Sequence, residues 1–293
     1  MQAFHIAAEH GIERVELPAA DAEWIAGCRW GDAAVPLTPS WIAKQAHMRW
    51  RQRAYEGFFG GEVTSLRGEA AFCLLSGFGI RAEVARAAYH KLTDMGVLEG
   101  MPDAATIREV LEQPLDVGGR KVRYRFPRVR AEYLHGALRV LSSITPAQNG
   151  IALRRQLLQI KGIGPKTASF VVRNHLLSDE VAILDIHLIR AGQIARIFPR
   201  NLRLPSDYMK LEARFLAFAA ACGVPASILD IAIWDIMRGI SLTRLARADA
   251  MNASLWTGDD DDQARHDQAQ VDSRTESAGG GTVDERQWAQ HLL

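Results

Sequence analysis

The sequence predicts an all-α fold, and three observations carry that expectation. From residue 64 to 240, apolar residues recur at helical spacing in segment after segment. The segments are punctuated by Gly, Pro and capping residues, so the connections are short. Nothing in that span alternates in the period of two that a half-buried sheet needs.

The elements follow in order. Residues 1–35 are short and mixed, with one candidate strand, RVEL at 14–17. Thr38, Pro39 and Ser40 form a helix start leading into WIAKQAHMRWRQRAYEGFF, which Gly60 and Gly61 break. AAFCLLSG at 70–77 reads as a buried helix, and AEVARAAYHKLTDM at 82–95 as an amphipathic one closed by Gly96. Asp103 caps AATIREVLEQ and Pro114 stops it. LDVGGRKVRYRF at 115–126 reads as a basic loop, and RVRAEYLHGALRVLSSI at 128–144 as the next helix. Helices at 151–160 and 165–177 are separated by a very short turn. Helices at 186–198, 206–223 and 225–239 complete the series. These readings divide the chain into an N-terminal extension (1–60), a helical domain (61–250) and a tail (251–293).

Composition narrows the function classes. Beyond residue 250 there are nine Asp/Glu against three Arg, which leaves 32 basic and 25 acidic residues in 1–250. A basic body suits a polyanion, although many metabolic enzymes are as basic. The tail GDDDDQARHDQAQVDSRTESAGGGT is too polar to bury a core and is expected to be disordered, with a DNA-mimicking role as a further reading. WAQHLL at 288–293 is its one apolar cluster, a floppy end or a docking peptide. Cys28, Cys73 and Cys222 are odd in number, far apart and set in apolar stretches. They read as buried reduced thiols, and their number excludes a four-cysteine iron–sulfur cluster or zinc ribbon. No metal and no cofactor are expected. No apolar run reaches the ~18 residues of a membrane span, and the first residues lack a secretory pattern, so a cytoplasmic, nucleoid-associated monomer is expected.

The informative segment is LLQIKGIGPKTASFVVRN, residues 157–174. Gly162 and Gly164 let the backbone reverse between two helices and leave no side chain over the amides. Pro165 suits the first helical position, and Ile160 and Ile163 can bury themselves between the helices. The free amides at the start of the second helix then form an anion site that fits a DNA phosphate. Lys166 lies in the first turn, where a cation is disfavoured. An uncharged amine there could attack a sugar C1′ and form a Schiff base; an exposed lysine touching phosphate is the alternative. Asp185 follows the apolar strip VAIL and precedes a helix. It is an N-cap, which by itself is structural, but an ionised carboxylate there can also stabilise an oxocarbenium-like centre.

GIGPK followed by ASFVVRN, and then AILDIH, resembles the helix-hairpin-helix DNA glycosylases of the endonuclease III superfamily. IKGIGPKTAS and AILDIHLIR, with FPRVRAEYL at 126–134 and ILDIAIW at 228–234, are most similar to the archaeal-type 8-oxoguanine DNA glycosylase/AP lyases. The resemblance implies two helical subdomains flanking a cleft and a bifunctional enzyme. It would release a damaged base from double-stranded DNA and nick the strand by β-elimination. It implies Lys166 as nucleophile and Asp185 as catalytic carboxylate. The amides of Gly162, Gly164 and Lys166 would bind one phosphate and His187 another. Arg130 would lie near the base opposite the lesion, and Trp234 in the base pocket; Phe72 and Phe78 are further stacking candidates. The sequence departs from the pattern where it runs on from Trp234 to Leu293, in FCLLSGFG, and in residues 1–60. A different modified base, or a hairpin that only grips DNA, are the competing readings.

Overall fold

The computed structural model describes residues 1–54, 65–77 and 79–255. The expected tail from Trp256 onward lies outside the described residues, as do Gly60, Gly61 and Phe78. The described residues form two compact units, one composite (1–54 with 182–255) and one continuous (65–181).

The composite unit opens with two β-hairpins, β1 (Gln2–Ala8) with β2 (Gly11–Leu17) and β3 (Glu23–Ile25) with β4 (Cys28–Arg29). RVEL is therefore the end of β2, and its partner strand was not legible. The Gln2 side chain ties the first hairpin down: its amide donates to the Pro18 and Gly31 carbonyls and to Ser40 Oγ, and its oxygen accepts from Ala33 N–H. Helix α1 (Pro39–Arg51) starts at Thr38, whose hydroxyl accepts from Trp41 N–H. The expected helix to residue 59 ends early, at Arg51, because Arg53 takes a left-handed φ of 52°. Leu17, Trp30, Leu37 and Ile42 are buried in one core with residues that follow position 182, among them Leu188, Phe215 and Leu229.

The continuous unit contains α2 (Leu66–Leu75), α3 (Ala82–Asp94), α4 (Ala104–Glu112), β5 (Leu115–Val117), β6 (Arg120–Val122), α5 (Pro127–Leu141), α6 (Gly150–Leu157) and α7 (Pro165–Leu176). Asp103 caps α4 as expected, its carboxylate accepting from Thr106 N–H. The expected basic loop at 115–126 is in fact a hairpin in its first part. Gly118 and Gly119 both take positive φ, and Val117 pairs with Arg120 across the turn. Helix α5 packs on α2 and α4, and α7 packs on α2 and α6, around a core holding Leu74, Leu134, Leu153 and Val171.

The chain then returns to the composite unit through α8 (Ile186–Ile194), α9 (Tyr208–Cys222), α10 (Ala226–Met237) and α11 (Leu242–Met251). The expected helix to 198 stops at Ile194. Arg196 takes φ 59°, and Phe198 folds back so that its N–H donates to the Gly192 carbonyl at 2.9 Å. A Cβ on Gly192 would stand 2.2 Å from the buried Phe198 ring. Gly192→Ala is therefore expected to cost ~1–3 kcal/mol by overpacking, read as a lowered Tm. Adding Phe198→Leu should recover part of the loss; additive losses would refute the contact. The three cysteines are free and buried, and burial pushes the Cys28 thiol up to about 11.

Candidate active site

The expected hairpin forms between α6 and α7. Asn149 caps α6 by accepting from Ala152 N–H at 2.8 Å. After α6 the chain tightens through bonds from Ile160 N–H to Leu157 O and from Ile163 N–H to Ile160 O, each 3.0 Å. Ile160 and Ile163 are 3% and 5% exposed, so both apolar residues of the turn are anchored in the core. Gly162 has φ +91°, a conformation that favours glycine. Gly164 is the N-cap of α7 with no side chain to offer, and Pro165 occupies N1. The amides of Gly164, Lys166 and Thr167 have no acceptor among the described residues, and a side chain on Gly164 would meet only open space. That is the geometry of an open anion site.

Lys166 is half-buried, and its amine makes no hydrogen bond or ion pair among the described residues. Behind it, α7 lies against α2. Asn174 donates to Glu69 at 3.1 Å, Arg173 donates to Asn174 Oδ1 at 3.2 Å, and the Phe72 and Phe170 rings are 6.5 Å apart. These pairings run antiparallel, so the register carries the C-terminal end of α2 toward Lys166. The Cys73 thiol agrees. Burial pushes it well up and Glu69 adds to this, while Arg173 and Lys166 pull the other way. Glu69 is 1% exposed, and burial raises its carboxyl against the opposing Asn174 hydrogen bond and Arg173 charge. Phe72, partly buried at the margin of the core, packs edge-on against both Tyr89 and Phe170.

Arg130 stands in the first turn of α5 beside the turn that follows α2. A Cβ on Gly77, at φ +122°, would be 3.0 Å from its guanidinium. Tyr124 fixes the approach to α5 by donating its hydroxyl to the Leu75 carbonyl at 2.6 Å, satisfying an end group of α2. Neither Tyr124 nor the Glu69–Asn174 pair was legible in the sequence. Both partners lie far along the chain, and only their burial could have hinted at them.

Asp185 belongs to the composite unit. The strip before it, Ala182–Leu184, is buried and held from α9. Tyr208 Oη accepts from Leu184 N–H and donates to the Ala182 carbonyl, and Glu212 accepts from Ala182 N–H. One Asp185 oxygen, Oδ1, accepts from His187 N–H at 2.8 Å and Leu188 N–H at 2.9 Å, as an N-cap should. Its second oxygen accepts no hydrogen bond among the described residues. The His187 ring meets the Trp234 ring edge-to-face with centroids 6.4 Å apart, and the Arg238 guanidinium lies over Trp234 at 5.0 Å. Asp185, His187 and Trp234 are thus gathered by α8 and α10, and Gly162, Gly164, Lys166 and Arg130 by the continuous unit.

Comparison with known proteins points one way. A family profile described as 8-oxoguanine DNA glycosylase matches residues 51–224, a span that includes the hairpin and Asp185 but not Trp234. The 8-oxoguanine DNA glycosylase/AP lyase of Metallosphaera sedula is 33% identical over 122 residues, covering 40% of this chain and 59% of that protein. The protein of the same description from Saccharolobus islandicus is 32% identical over 160 residues, covering 50% and 72%. Among solved structures, the 8-oxoguanine DNA glycosylase of Thermotoga maritima superposes with a TM-score of 0.52 at 24% identity, covering 68% of this chain and 97% of that one, which shows the fold.

Proposed function

Because this chain belongs to the 8-oxoguanine DNA glycosylase family, we propose that it excises an oxidised purine, 8-oxoguanine, from duplex DNA and then nicks the strand, with Lys166 as Schiff-base nucleophile. The observation that carries the reading is the pairing of an unengaged, half-buried amine on Lys166 with a row of unfilled amides in the same turn. The relatives named glycosylase/AP lyase supply the reaction class.

The target nucleotide must leave the stack before its C1′ can be reached. The hairpin amides grip the backbone and His187 takes a second phosphate. The Lys166 amine forms a bond to C1′ as the bond from C1′ to the purine breaks, and the purine leaves with that electron pair and takes up a proton. The Asp185 carboxylate, oriented by two backbone N–H donors, offers its other oxygen to the developing positive charge on the sugar. Trp234 lines the base pocket and Arg130 addresses the opposite base. Loss of the amine's proton and cleavage of the C1′–O4′ bond convert this adduct to the ring-opened Schiff base, and removal of a C2′ proton then expels the 3′ phosphate by β-elimination. The partner is a lesion-bearing duplex met by one copy of the chain, in the cytosol at the nucleoid.

The test is a panel of duplexes with single defined lesions, incubated with borohydride. A covalent protein–DNA adduct and free base are expected with 8-oxoguanine, and the adduct also with an abasic site. No adduct with any oxidised purine or abasic site would overturn the reading, and salt-sensitive binding alone would leave a hairpin that only grips DNA.

A further inference from the structure

We propose that Tyr133 is a positioning residue for this reaction: its ring is the floor on which the Gly162 turn rests, and it sets where the phosphate-facing amides point. The inference builds on the grip on phosphate proposed above. A Cβ built on Gly162 would stand 2.4 Å from Tyr133 Cγ, 2.6 Å from Cδ2 and 2.9 Å from Cβ. The turn backbone is therefore seated directly against the ring. Ile160 and Ile163 of the same turn are buried in the core against which Tyr133 also packs. The turn is thus held by its own two isoleucines and by the ring seated on Gly162, and a turn so anchored cannot swing its amides away from a ligand at little cost.

Tyr133 lies one helical turn beyond Arg130, whose guanidinium abuts Gly77. Helix α5 thus touches two glycine turns, the one just before Lys166 and the one that ends α2, the helix packed against α7. One rigid element sets both. The Tyr133 hydroxyl has no hydrogen-bond partner among the described residues, and it is the ring that lies against Gly162. Phenylalanine should serve in its place, and a branched aliphatic side chain of similar reach should not.

The experiment measures full-chain affinity for a duplex with a stable abasic-site analogue at several salt concentrations, alongside thermal unfolding. Tyr133→Phe is expected to bind within about twofold of wild type. Tyr133→Leu is expected to bind about tenfold more weakly and to lose about one unit of the salt slope, the signature of one lost phosphate contact. Rescue by Phe but not by Leu confirms the role. Equal affinity and slope for both variants overturns it, as does a Leu variant that lowers Tm but leaves affinity and slope untouched. Gly164→Asp separates the two layers of the argument, because it fits open space and sets a negative charge at the amides. If it leaves binding unchanged, the phosphate grip itself falls and the inference with it. If it abolishes binding while both Tyr133 variants bind normally, only the role of Tyr133 is lost.

Discussion

Lys166→Gln is expected to reduce the borohydride-trapped adduct by at least ~10³-fold, because it removes the nitrogen that attacks C1′ in the proposed reaction. Glutamine keeps the length of the side chain and suits a helix, so the hairpin should stay intact. The backbone amides that face phosphate do not depend on the side chain, and affinity for an abasic-analogue duplex should fall by no more than a few-fold. Single-turnover trapping and anisotropy on the same preparations separate the two. An adduct that survives the substitution would place the nucleophile elsewhere, and a collapse of affinity would make Lys166 a phosphate ligand instead.

The second large effect is expected at Asp185. Asparagine caps helices about as well as aspartate. Asp185→Asn should therefore preserve the bonds to the His187 and Leu188 amides and leave Tm almost unchanged. The charge is lost, and with it the stabilisation of the sugar cation; base release should slow by ~10²–10³-fold, the range seen when one preorganised electrostatic group is removed. Asp185→Ala removes cap and charge together and should cost a further ~1 kcal/mol of stability. Wild-type base release by the Asn variant would reduce Asp185 to a structural cap.

What the sequence made legible were features written in adjacent residues. The hairpin could be read because Gly162, Gly164 and Pro165 each restrict the backbone locally, and Ile160 and Ile163 mark the buried side. The Asp185 cap could be read because the apolar strip before it and the helix after it meet at that residue. Helix ends set by tertiary packing were misread. Helix α8 was expected to run to residue 198, but Phe198 turns back onto Gly192, and Arg53 stops α1 by taking a conformation its side chain does not advertise. The β5–β6 hairpin was read as a loop despite its Gly118–Gly119 turn, because its strands are only three residues each and half of their positions are charged. The contacts that frame the site, Arg130 with Gly77, Tyr133 with Gly162 and Asn174 with Glu69, join residues dozens of positions apart, and no local pattern encodes them.

The composite unit has a consequence for biosynthesis. Trp30 and Ile42 emerge from the ribosome well before Phe215 and Leu229, the residues that cover them. At ~5–20 residues per second, roughly 170 residues of further translation leave that apolar surface waiting for about 9–35 s. The continuous unit is made whole during this interval and can fold first. The nascent N-terminal segment therefore has to avoid aggregation until its partners arrive, and holding chaperones are expected to help it do so. Recombinant yield should rise when translation is fast or such chaperones are abundant.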